Sequence, residues 1–191
     1  MSDEPATVFG SSSGGIVALT ALAHHASVIR TRVALEPPVV KQLADGQKWL
    51  DFFSGLYDLY RRSGVEPALQ EFREQTFAES DRQVLGRAMD LGDPAQMLAN
   101  ATYWFEHKLR QYPAGELDLD ALKARATRIV LTVGRESRGY PACEATMEFA
   151  KQLGMDGVQL PGGHLGFVSR PAEFARELSK TLAWQEQGSK A

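Results

Sequence analysis

One cysteine in 191 residues, Cys143, excludes an intramolecular disulfide framework and suits a reducing compartment, so a cytoplasmic location is expected. No apolar run approaches the roughly 20 residues that cross a bilayer, which argues against a membrane partner. The opening MSDEPATVFG has no basic region followed by an apolar stretch, so it does not read as a signal peptide. Basic residues are not in excess: the formal net charge is −3, and the positive stripe that nucleic acid demands is missing. Repeats and low-complexity segments are also missing. What remains is an ordinary globular composition, 43% hydrophobic and 24% charged, with enough apolar residues for a sizeable core.

Four short apolar runs read as strands: Ala6–Phe9, Arg32–Leu35, Ile129–Val133 and Gly157–Leu160. Helical patterns separate them, which is the mark of an α/β domain built on a mostly parallel sheet. Between Val39 and Gly115 the strand signal disappears. Amphipathic stretches such as QKWLDFFSGLYDLYRRSG and PAQMLANATYWFEHKLRQY take over. Trp49, Phe52, Phe53, Leu56, Tyr57 and Tyr60 recur there at helical spacing, a face expected mainly to pack on the core and partly to line a pocket. Three parts follow: 1–38, 39–115 as a helical insertion, and 116–191, closed by a helix from Pro171 to Gln187.

The chemistry concentrates in VFGSSSGGIVALTALA, a strand, a glycine-framed turn and a helix. A phosphate loop would need lysine where Ile16 stands, and a dinucleotide fingerprint would need glycine where Ser12 stands, so both are excluded. G-x-S-x-G fits, as Gly10-Ser11-Ser12-Ser13-Gly14. A side chain on so sharp a turn crowds the residues two before and two after it. Only Ser12 has glycine at both offsets, so Ser12 is the candidate nucleophile. A hydroxyl needs a base to take its proton, usually a histidine oriented by a carboxylate. Of the four histidines, His24, His25 and His107 fall on helical patterns and read as surface or packing residues. His164, in QLPGGHLGFVSRP, follows the last strand, at the end of the sheet where α/β folds present ligand-facing groups. Cys143 reads as inert packing.

The elbow VFGSSSGG, the helical insertion, the late strand RIVLTVG and the terminal PGGHLGF together resemble the α/β-hydrolase fold family over nearly the whole chain. The resemblance implies a partial α/β-hydrolase sheet under a helical cap, and a catalytic order of serine, acid, histidine. It implies an esterase-like hydrolase acting through an acyl-enzyme, with no metal or organic cofactor and a moderately apolar small-molecule substrate. A carbon–carbon hydrolase or lyase would use the same residues. The acid has two candidates. The family's usual loop maps to Gly134-Arg135-Glu136-Ser137, which makes Glu136 the first choice although it stands one residue early; Glu36, in ALEPP, is the second. The Ser13 N–H would be one oxyanion donor.

Family members carry further strands and a glycine-rich loop ahead of the elbow strand, whereas five residues precede Ala6 here. The reading therefore expects a stretch of a longer enzyme, with the elbow strand left as an unpaired edge that a second copy of the chain would cover. The alternative is the same fold with weak or no turnover, serving as a binding module.

Overall fold

The computed structural model describes residues 4–188. Its frame is a four-stranded, wholly parallel sheet in the order β1 (Ala6–Ser11), β2 (Ile29–Leu35), β3 (Ile129–Gly134), β4 (Val158–Leu160). Parallel neighbours require crossovers. Helix α1 (Ser13–His24) links β1 to β2, and α7 (Pro141–Gln152) links β3 to β4. The link from β2 to β3 carries α2 (Gly46–Ser63), α3 (Val65–Thr76), α4 (Glu79–Leu91), α5 (Pro94–His107) and the short α6 (Leu119–Lys123). After β4 come α8 (Gly166–Ser169) and α9 (Pro171–Gly188).

Strand alternation sorts the two faces. Gly10, Ala34 and Leu131 stand in register, and Ala34 and Leu131 join the larger core with Leu19 and Leu22 of α1 and Phe149 of α7. Leu35, on the opposite face, packs with Leu160 and with Phe174 of α9. The strands run longer than the sequence predicts at β2, where Ile29 already pairs with Ala6, because the arginines and threonine of IRTRVAL hide the apolar run.

The aromatic face of α2 behaves mainly as packing. Phe53 and Leu56 are buried, Trp49, Phe52, Tyr57 and Tyr60 pack against the same core, and the Tyr57 and Tyr60 hydroxyls donate to Glu106 at 3.0 and 2.9 Å. Chain turns are locally specified: Asp93 caps α5 by accepting from the Ala95 N–H at 3.1 Å, with Pro94 in the first turn.

Among the described residues β1 lies at one edge of the sheet, paired with β2. Phe9 on β1 and Val17 on α1 are exposed large apolar side chains.

Candidate active site

Ser12 sits between the end of β1 and the start of α1, at φ 55° and ψ −128°. Its N–H still donates to Leu35 O at 2.8 Å, so the ladder holds the turn to the last residue before the helix. Only one other non-glycine residue among those described has positive φ: Glu36, at 43°, the residue after β2. Such seats cost of order 1–3 kcal/mol each and persist where the surroundings over-determine them. Both lie at the carboxyl end of adjacent strands.

The glycines of the elbow are not equivalent, which corrects the symmetric crowding argument. A Cβ on Gly10 would lie 2.2 Å from Gly14 O and 2.9 Å from Ala18 Cβ, so no other residue lets α1 pack this closely. A Cβ on Gly14 would meet nothing within 4 Å.

His164 is buried and lines one small cavity together with Ser12 and Ser13. Its Nδ1 lies 2.6 Å from Glu36 Oε2, the ring N–H donating to the carboxylate. The other Glu36 oxygen accepts the Gly134 N–H at 2.7 Å, and the Glu36 N–H donates to Thr132 O at 2.9 Å. Glu36 is 1% exposed. The carboxylate is thereby tied to β3 on one side and to the imidazole on the other.

Glu136, the first choice from sequence, is therefore corrected: the carboxylate on His164 belongs to Glu36. The physical reason lies in the turn after β3. There Ser137 takes the buried position, and the Glu136 side chain leaves toward solvent to accept from Arg170 Nη2 at 2.5 Å. Glu136 touches the histidine loop only through its backbone N–H, which donates to Gly162 O at 3.1 Å. His24 and His25 are exposed, and His107 lies at the surface with its ring tilted 45° against Tyr103. Cys143 is buried, and burial pushes its thiol pKa up to about 12.

One residue of the site has no signal in the sequence. Asp81, near the start of α4, is 1% exposed, and its two carboxylate oxygens accept the N–H groups of His164 at 2.9 Å and Leu165 at 2.8 Å. The approach depends on Gly163, whose Cβ would lie 2.2 Å from Asp81 Oδ2. Burial pushes the Asp81 carboxyl above the usual carboxylate range, against the downward pull of the two N–H donors. In AESDRQ this aspartate looks like any acid in the first turn of a surface helix. Phe77 completes the wall, its ring 5.0 Å from the imidazole.

The model of the alpha/beta hydrolase family matches residues 2–177. The chain belongs to the alpha/beta hydrolase family. This family member is 27% identical over 186 residues to the uncharacterized hydrolase YraK of Bacillus subtilis (strain 168), covering 95% of the chain and 65% of that protein. It therefore spans somewhat less than two thirds of the curated relative. A thermophilic esterase from Thermogutta terrifontis superposes with a TM-score of 0.67 at 16% identity, over 95% of this chain and 66% of that one. MGS-M2, an alpha/beta hydrolase enzyme from a Medee basin deep-sea metagenome library, gives 0.63 at 17% identity, over 90% and 62%. At these identities the structural likeness speaks for the fold. Among the described residues no helix is long and apolar enough to cross a membrane.

Proposed function

We propose that the chain carries the catalytic centre of a serine hydrolase of ester-like substrates, with Ser12 as nucleophile, His164 as base and Glu36 as the orienting acid. One observation carries this reading: Ser12, in a strained turn, shares a cavity with an imidazole whose far nitrogen is held by a buried carboxylate. A carboxylate at Nδ1 fixes the tautomer that leaves Nε2 free to accept a proton, and stabilises the imidazolium that forms. Ser12 Oγ then attacks the carbonyl carbon while His164 takes its proton. The Ser13 N–H, in the first turn of α1 where backbone donors lack intrahelical partners, is suited to the oxyanion. His164 returns the proton to the leaving group, and water, activated by the same ring, releases the acid. The substrate is a moderately apolar small molecule, a reading supported by Phe53, Phe72, Phe77 and Trp104 in the cavity wall.

The test is covalent. A fluorophosphonate incubated with the folded chain is expected to add once, on the Ser12 peptide, and Ser12→Ala is expected to abolish the adduct. A folded chain that takes no adduct would favour a binding module.

A further inference from the structure

Two cavities meet at Ser12, and they are unequal. The smaller, about 50 Å³, is lined by Ser12, Ser13 and His164 together with Phe53, Thr76 and Pro141. The larger, about 800 Å³, opens between α3 and α5 and shares Ser12 but neither Ser13 nor His164; Leu69, Leu85, Met97, Leu98 and Ala101 form its sides. Phe72, Phe77 and Trp104 line both. The charged residues of the larger cavity are already engaged: Arg73 Nη2 donates to Glu66 at 2.9 Å, and Arg73 Nε to Leu69 O at 3.1 Å. What that cavity presents is therefore apolar surface, at a size typical of small-molecule sites.

Resting on the serine-hydrolase reading above, the position of His164 decides which part of a substrate goes where. The proton that the ring takes from Ser12 Oγ must be delivered to the leaving oxygen, so the leaving group has to lie on the His164 side. That side is the small cavity, whose volume of about 50 Å³ holds only a few water-sized groups. The acyl chain is left to the large one. We infer that the substrates are carboxylic esters of a small alcohol, methanol- or ethanol-sized, with a long or bulky apolar acid. In the step, the Ser12 Oγ–acyl carbon bond forms as the ester C–O bond breaks, and the alcohol leaves with the proton carried by His164. Water then splits the Ser12 ester, releasing the acid and restoring the hydroxyl.

An isomeric pair tests the orientation without altering the protein. Ethyl octanoate and octyl acetate have the same atoms and differ in which side of the ester is long. The inference expects kcat/KM for ethyl octanoate to exceed that for octyl acetate by at least about 10-fold, the scale on which hydrophobic pockets discriminate. Ala101→Trp, which fills the larger cavity, is expected to cut turnover of ethyl octanoate about 10-fold more than that of ethyl acetate. Equal rates for the isomers, or a preference for octyl acetate, would overturn the inference. Turnover of neither isomer by a chain that still takes the fluorophosphonate on Ser12 would overturn it alone. Loss of that adduct would overturn the hydrolase reading beneath it as well.

Discussion

Arg32 is the residue whose surroundings fit it least. It lies on β2, on the face covered by α1, and is 0% exposed. None of its three guanidinium nitrogens has a hydrogen-bond partner among the described residues. Burial, with the like charge of Arg128 behind it, holds its pKa below the usual arginine value. A buried charge without a partner costs several kcal/mol, and replacement by an apolar side chain of similar volume often stabilises. Arg32→Met is therefore expected to raise the unfolding free energy by roughly 1–4 kcal/mol, read from the urea midpoint at unchanged slope. A loss of stability would contradict this and mean that the guanidinium finds an acceptor in solution. Cavity residues such as Phe77 and Trp104 have nothing in their local sequence to separate them from core aromatics. Ser12, the proposed nucleophile, stands out in the sequence because its neighbours at both offsets are glycine and a strand and a helix flank the turn.

At the scale of elements, α4 and the histidine loop are held together by one carboxylate. Asp81 accepts two backbone N–H groups that would otherwise be buried without partners, and each orphaned donor costs about 1–3 kcal/mol. Asp81→Asn keeps the shape but loses the charge and one acceptor. It is expected to lower stability by about 1–3 kcal/mol, and to lower kcat through a displaced His164 while KM moves less. The raised pKa sets the sign of the pH dependence. Between the ordinary carboxylate range and the raised folded value, the folded protein holds a proton that the unfolded chain has released. The contribution of this group is thus fullest below the unfolded pKa and is lost as pH rises through the folded one. Denaturant melts of the two proteins should show wild type gaining on Asp81→Asn as the solution is made mildly acid; the opposite trend would refute the assignment. The four strands and the helical insertion are legible because apolar runs of strand length alternate with helical periodicity. The Asp81 clamp is not, since it exists only where two elements distant in sequence meet.

For the molecule as a whole, the sheet is what assembles the site. Ser12 follows β1, Glu36 follows β2 and His164 follows β4, and parallel strands deliver all three to the same end. That order was readable from the chain, but the choice between two glutamates was not. Glu36 is set by a positive-φ residue at a strand end and a hydrogen bond to Gly134, both consequences of tertiary packing. Glu136, the first choice by position, turns outward to Arg170. The comparison that reads this assembly most directly is ester turnover by Glu36→Gln and Glu136→Gln. Removing the carboxylate that fixes the imidazole is expected to cost on the order of 1,000-fold to 10,000-fold in kcat. Losing a surface ion pair is expected to change it by less than about 2-fold. Equal losses, or the larger loss in Glu136→Gln, would contradict the account.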